Sequence, residues 1–338
     1  MKEIIINKND SGQRLDRFLS KAIPLLPASL RQKYLRLKRF KVNGRAARGD
    51  YRLELGDKLS MYINSDFFVT DSSMAITVGK PCNKHMPEKT PLASLDILYE
   101  DDNILLVNKA SGVLSHSDSA SNQNNLLSSV RFHLLQSGQW DPHAELSFTP
   151  ALCNRLDRNT SGIVIAAKNA AALRIINEKL RLREIDKYYL AVVHGVPSPK
   201  SGILDTFHSK DTEQNIAEIL KTPNPNSAST YKSSVTEYST IATTNELSLV
   251  ECKLITGRSH QLRAQLAAIG NPILGDIKYG GIEKKRRYKE QYQVLCSYKL
   301  VFTFKTCAGS LNYLRGKTFA IESIPFVDKY FPFKEFSV

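Results

Sequence analysis

One stretch limits what this chain can become: Cys153-Asn154-Arg155-Leu156-Asp157-Arg158-Asn159-Thr160-Ser161-Gly162, running directly into Ile163-Val164-Ile165-Ala166-Ala167. The uncharged run, rich in β-branched residues, reads as a buried strand. Thr160, Ser161 and Gly162 supply turn residues at the junction. A single carboxylate, Asp157, therefore sits between two arginines on a loop whose exit is fixed by a core strand. Taken alone, an Arg-Asp-Arg cluster is an ordinary surface salt-bridge group. What decides its meaning is the rest of the chain.

At 338 residues the chain can bury a sizeable core, and one large domain with a smaller one is the natural expectation. Its 47 basic and 33 acidic residues leave a net charge of +14, which favours a polyanionic partner, nucleic acid before an anionic membrane surface. No run approaches the roughly 18 apolar residues of a membrane span. The apolar run after Met1 is too short for a signal peptide and reads as a first strand. Five scattered cysteines without Cys-x-x-Cys spacing argue against a disulfide framework or a structural zinc site, and fit a reducing cytoplasm. There is no long-period repeat and no phosphate-cradling glycine motif.

The positive charge is concentrated. Residues 1–64 hold 15 basic and 6 acidic residues, a net +9. Leu15, Phe18, Leu19 and Ile23 recur at helical spacing, and Pro24 closes that helix. A second helix is expected over Ser29–Lys38, capped by Ser29 and carrying Arg31, Lys33, Arg36 and Lys38, with Arg39 and Lys41 just beyond. Phe40 to Arg45 gives a strand and an Asn-Gly hairpin turn. A helix and hairpin bearing this charge form the electrostatic footprint of phosphate contacts. Residues 67–93 then read as a linker between domains 1–66 and 94–338.

The second domain opens with two apolar runs around an acidic turn, Ile97 to Lys109, a hairpin. Lys109-Ala110-Ser111-Gly112 leads to His116, and Leu126–Gln136 and Ala170–Leu182 read as helices. Lys187-Tyr188-Tyr189-Leu190-Ala191-Val192-Val193-His194-Gly195 reads as a strand. Residues 198–230 are polar and turn-rich, an excursion that either contacts RNA or is simply a solvated loop. Leu247–Leu254 alternates as a strand, and Thr256-Gly257-Arg258-Ser259-His260-Gln261-Leu262-Arg263 turns into a helix with Ser259 as its cap and Gly270 as its end. Residues 284–289 contain a basic run, read as a solvated loop with some capacity to contact RNA.

Three of these stretches, in order, resemble the motifs of the RluA family of pseudouridine synthases: Arg-Leu-Asp-Arg-x-Thr-Ser-Gly, Lys-x-Tyr-x-Ala-x-Val-x-Gly, and Thr-Gly-Arg-x-His-Gln continuing to Gly275-Asp276 and Tyr279-Gly280. The N-terminal module resembles the S-four RNA-binding domain. Ala110, Asn154, Leu262 and Cys296 depart from the family's usual Pro, His, Ile and His.

The resemblance implies an α+β fold, a small basic module followed by a mostly antiparallel mixed sheet with flanking helices. It also implies isomerisation of uridine in RNA to pseudouridine, with no cofactor and no metal. Its implied catalytic residues are Asp157, Tyr189 and Arg258. Covering a carboxylate with a flipped base removes the water that stabilises its charge, and Arg258 is the expected counter-charge. Tyr189 would stack on uracil and handle a proton. Arg155, Arg158 and Leu262 are expected at the substrate, with Arg31, Lys33, Arg36, Lys38 and Arg39 on the RNA backbone. Attack by Asp157 on the sugar, attack on the ring, and expulsion of the base all remain open. The expected partner is ribosomal RNA, with transfer RNA second, no membrane, and the chain acting as a monomer in the cytoplasm. A catalytically silent RNA-binding or ribosome-assembly factor is the competing class, and the intact Asp157, Tyr189 and Arg258 favour the enzyme.

Overall fold

In the computed structural model, which describes residues 1–68, 95–117, 125–142, 144–211, 216–220, 222, 231–280 and 288–332, the chain forms two units. The linker expected over 67–93 and the basic run over 284–289 fall largely outside these residues.

Unit 1 takes the described N-terminal residues together with Arg131–Pro150 and Lys168–Ala171. Its elements are β1 (Lys2–Ile5), α1 (Leu15–Ala22), α2 (Ala28–Arg36), β2 (Phe40–Val42), β3 (Arg45–Ala46) and β4 (Lys58–Met61), with an antiparallel sheet in the order β1-β4-β2-β3. α1 buries Leu15, Phe18 and Leu19, as their spacing predicts, against Phe40, Leu53 and Leu59. Each such side chain contributes about 1.5–3 kcal/mol relative to exposure. Asn43 and Gly44 both adopt positive φ, +49° and +77°, the requirement of a two-residue turn matched to strand twist. α2 begins after Pro27, so Ser29 lies inside its first turn and caps nothing. No side chain of α2 is buried, and the helix stops at Arg36 because Lys38 turns left-handed and lets the Arg39 amide reach the Tyr34 carbonyl. Ser147 is bound into this unit, donating to Asp10 Oδ1 at 2.5 Å and accepting from Gln13 at 2.6 Å.

The remaining elements in chain order are β5 (Ile97–Glu100), β6 (Ile104–Lys109), α3 (Leu126–Gln136), β7 (Ala151–Leu152), β8 (Ser161–Ala167), α4 (Ala170–Arg181), β9 (Asp186–His194), β10 (Ser201–Asp211), β11 (Ile216–Leu220), β12 (Lys232–Thr243), β13 (Leu247–Leu254), α5 (Gln261–Ala268), α6 (Ile277–Gly280), β14 (Leu295–Val301), β15 (Thr318–Ala320) and α7 (Pro325–Tyr330). Unit 2 is built on one sheet in the order β11-β10-β12-β13-β9-β14-β8-β6-β5, with β15 added to β14 and β7 to β8. Every pairing in it is antiparallel except β14 with β8. This is the α+β architecture expected from the sequence.

One expectation fails here. The stretch 198–230 is not simply a solvated loop, because it holds β10 and β11, which pair with each other and, through β10, with β12 in a long antiparallel ribbon. Its strands carry polar residues on both faces, so the two-residue alternation that marks a half-buried strand is missing.

The main core lies on one face of the sheet, where Ile163, Ile165, Leu190, Val192 and Leu249 meet Ala172 and Ile176 of α4 and Phe302, Leu311 and Leu314. β8 is buried nearly throughout, which explains why its sequence is continuously apolar rather than alternating. Tyr188 packs against this core, so Tyr189, its neighbour on the strand, projects from the opposite face. No helix among the described residues is long and apolar enough to cross a membrane.

Candidate active site

The segment that carries Asp157 has little hydrogen bonding of its own, and three neighbours hold it in place. Ser115 Oγ donates to the Leu156 carbonyl at 2.9 Å and accepts from the Leu156 amide at 3.2 Å. Lys109, 1% exposed at the end of β6, donates to the carbonyls of Ala110, Val113 and Arg158 at 2.9–3.0 Å. Burial draws this ammonium down to about 8, partly opposed by the charge of Asp157. Gln293 donates to Thr160 Oγ1 at 3.0 Å. On the exit side Gly162 has φ +115°, and a Cβ there would stand 2.3 Å from the Ser297 carbonyl oxygen. Only glycine allows β14 this close to β8.

The counter-charge to Asp157 is Arg263, not Arg258. Arg263 Nη1 lies 3.4 Å from Asp157 Oδ2, while its Nε and Nη2 grip the two oxygens of buried Asp276 at 2.6 and 2.9 Å. Burial disfavours the guanidinium, but the Asp276 bonds outweigh this and its pKa is raised. Arg258 instead donates from Nε to the Ser233 carbonyl at 3.0 Å. The reason lies in the start of α5. His260, in the left-handed region at φ +56°, is the residue before the helix, and Ser259 does not cap it. Arg258 thus stays in the turn, whereas Arg263, inside the helix, reaches the Asp157 loop. His260 Nε2 stands 3.9 Å from Asp157 Oδ2, and its Nδ1 is 3.0 Å from Tyr279 Oη, which also accepts from the Ala217 amide of β11.

Asp157 borders two cavities. One, of about 290 Å³, is lined by Tyr189, Leu262, Arg258, Lys187 and Leu254 among others. The second, of about 700 Å³, is more polar and includes Arg155, Arg158, Lys278 and Arg263. Tyr189 is buried, and burial pushes its phenol up to about 12, so at neutral pH it keeps its proton. Of the residues expected at the substrate, Asp157, Tyr189, Arg258, Arg155 and Leu262 therefore come together around the smaller cavity. Arg158 is exposed, lines the larger cavity and donates to the Gly112 carbonyl at 3.1 Å. Arg31, Lys33, Arg36, Lys38 and Arg39 belong to unit 1 and line neither cavity. Lys33, Arg36, Lys38 and Arg39 are exposed, and Arg31 is half-buried with a 3.4 Å bond to the Leu26 carbonyl.

Two departures from the family pattern have structural uses. Asn154 accepts from the Ile165 amide at 2.8 Å and so ties the loop to β8. Cys296 is buried opposite Ser161, and burial raises its thiol to about 11. The sequence reading missed Lys109, Ser115, Arg263 and Asp276. A local signal marks Lys109, a charge closing an apolar strand, and Arg263, a charge among apolar helix neighbours, as buried, but not what either of them binds.

The sequence model of the RNA pseudouridylate synthase family matches residues 103–268. The chain is 30% identical to an uncharacterized RNA pseudouridine synthase of Mycoplasma genitalium, across 89% of this chain and 88% of that protein. It is 31% identical to ribosomal large subunit pseudouridine synthase C of Escherichia coli K12, across 86% and 83%. Among solved structures, human RNA pseudouridylate synthase domain containing 4 superposes with a TM-score of 0.51 at 23% identity, covering 68% of this chain and 89% of that one. Human RNA pseudouridylate synthase domain containing 1 gives 0.50 at 21%, covering 71% and 96%. At these identities the two structures speak for the fold alone.

Proposed function

The chain belongs to the RluA family of RNA pseudouridine synthases, isomerases of uridine in RNA, and on that premise we propose that it modifies 23S ribosomal RNA with Asp157 as its catalytic carboxylate and no cofactor. The observation that carries the reading is the position of Asp157 at a cavity wall, ion-paired to Arg263 in a space shared with Tyr189. A fixed guanidinium keeps the carboxylate charged after a base displaces water from it. The target uridine leaves its stack and enters the smaller cavity, where Tyr189 offers a ring face and Leu262 an apolar wall. The N1–C1′ bond breaks, the ring turns, and C5 bonds to C1′. Tyr189, still protonated, moves a proton in the second half. The larger cavity, with Arg155, Arg158 and Lys278, takes the flanking phosphates.

Residues 1–66 serve as the RNA-binding module, with Arg31, Lys33, Arg36, Lys38 and Arg39 along the backbone, and residues 94–338 as the catalytic domain. The name of the Escherichia coli relative supports large-subunit RNA as substrate. Mapping pseudouridines in total RNA from cells with and without the gene tests this. Loss of one or more sites in large-subunit RNA is expected. Loss confined to transfer RNA would move the substrate, and an unchanged map would remove the enzymatic reading.

A further inference from the structure

Lys187 is a cation of the smaller cavity for which the reaction outlined above has no use. It stands on β9 two residues before Tyr189, so the two side chains leave the same face of the sheet. Leu180 and Leu254 line the same cavity, and its Nζ reaches Gly257, where an added Cβ would lie 3.9 Å away. The side chain is half-buried, and burial lowers its pKa against the opposing charge of Asp186. Asp186 is already engaged by Lys253 at 2.8 Å.

The buried cations Lys179, Lys109 and Arg263, and Arg258 in the same cavity, are each held by the protein itself. Lys179 binds Glu184 at 2.8 Å, Lys109 binds three carbonyls, Arg263 binds two carboxylates and Arg258 a carbonyl. Lys187 makes neither a hydrogen bond nor an ion pair among the described residues. Arg155 makes none either, but it is exposed and solvated. A charge drawn partly out of water without a partner is costly, and a functional cavity is where a ligand restores the missing interaction. The cavity's one carboxylate, Asp157, is taken by Arg263. The missing anion must come from the substrate.

We propose that Lys187 receives the negative charge of the departing base. This rests on the isomerase reading of the same cavity. When the N1–C1′ bond breaks, its electron pair enters the ring and leaves uracil as an anion shared among N1, O2 and O4, while C1′ bonds to an Asp157 oxygen. C5 then bonds to C1′, and the Asp157–C1′ bond returns its pair to the carboxylate. C5 gives its proton to water and N1 takes one from the Tyr189 hydroxyl, which recovers it from solvent, so nothing is oxidised, reduced or consumed. An ammonium placed beside a ring oxygen lowers the barrier to the first step without binding the neutral base tightly, the differential that catalysis requires. The larger cavity, richer in arginine, is the better host for phosphates.

The test compares wild type, Lys187→Met and Lys187→Arg in single turnovers at saturating RNA, on the transcript that the wild type converts. The transcript is made once with uridine and once with 5-fluorouridine. With fluorine in place of the C5 proton, the second reaction ends at the C5-linked ring, which adds water at C6. Formation of either C5-linked nucleoside is followed by chromatography of nuclease digests. Fluorine at C5 stabilises the ring anion by itself and reduces the need for a cation. Lys187→Met is expected to slow uridine conversion about 100-fold and 5-fluorouridine conversion less than about 10-fold, with RNA affinity unchanged and Lys187→Arg recovering most of the rate. Its urea midpoint should equal or exceed the wild-type value, since an unpartnered charge is removed.

Equal slowing on both RNAs would overturn the proposal, as would a lowered midpoint, which would reveal an internal partner. An unchanged rate with weaker binding and a salt slope smaller by about 0.7–0.9 would overturn it too and assign Lys187 to a phosphate. Failure of the isomerase reading is distinguishable, because the wild type would then convert no uridine at all.

Discussion

Replacing Arg263 by methionine should do two separate things, and a second substitution separates them. Arg263 grips Asp276, whose side chain is 1% exposed, and reaches Asp157 with its remaining nitrogen. Its loss leaves the Asp276 carboxylate buried with, among the described residues, only the amides of Lys278 and Tyr279 as donors, at 3.0 and 3.3 Å. Breaking a buried pair on one side costs about 3–5 kcal/mol, so the urea midpoint should fall markedly. Adding Asp276→Asn removes the stranded charge and should bring stability back to within about 1 kcal/mol of wild type.

Activity should not return with it. At 3.4 Å and an effective dielectric of about 20, the Arg263–Asp157 attraction is on the order of 5 kcal/mol before desolvation is subtracted. If about half of it acts in the transition state, its loss slows single turnover about 100-fold. Release of tritium from C5-labelled uridine, measured at saturating RNA beside urea unfolding, follows both effects. A double variant that refolds and regains the wild-type rate would show that Arg263 serves only Asp276, and the counter-charge argument would fall.

Further outcomes can be checked with simpler assays. Gly162→Ala should cost several kcal/mol, about 1–2 for the left-handed backbone and about 1–3 for the collision with Ser297, and should reduce activity through the Asp157 loop; a midpoint near wild type would mean that β14 yields easily. Arg36, Lys38 and Arg39 changed together to alanine should weaken RNA binding and flatten its salt dependence by about 0.7–0.9 per lost phosphate contact, leaving the saturated single-turnover rate intact; a large fall in that rate would implicate the module in positioning the target. Glu184 is held at about 2, chiefly by its bond from Lys179. A carboxylate depressed in this way adds stability that is complete above its ordinary value near 4.5 and is lost as pH falls through about 2. The stability difference between wild type and Lys179→Met should therefore be full at pH 5 and shrink towards pH 2, and a difference independent of pH would contradict the pairing.

The hairpins and most helices were legible in the sequence because their signals are local. The Asn43-Gly44 turn, the apolar run of β8 and the spacing of Leu15, Phe18 and Leu19 each specify structure within a few residues. The choice between Arg258 and Arg263 was not legible, because it depends on where α5 starts. Two arginines five residues apart in one motif look equivalent until His260 turns left-handed and sets which of them faces the loop. The role of Lys109 is illegible for a related reason. Its role is to satisfy three carbonyls, one of them 49 residues away in the chain, and no local pattern encodes that closure. The β10–β11 ribbon is not legible because its alternation is obscured by polar residues on both faces.

The central claim is that the Asp157 carboxylate performs the isomerisation. Its most direct test is Asp157→Asn, which keeps the size of the side chain and removes the charge. RNA affinity and single-turnover tritium release should be measured on the same preparation, with folding confirmed by urea unfolding. The account predicts a folded protein that binds RNA as the wild type does and releases no tritium above background. Release at a rate near wild type would contradict it, and would remove Asp157 from the chemistry.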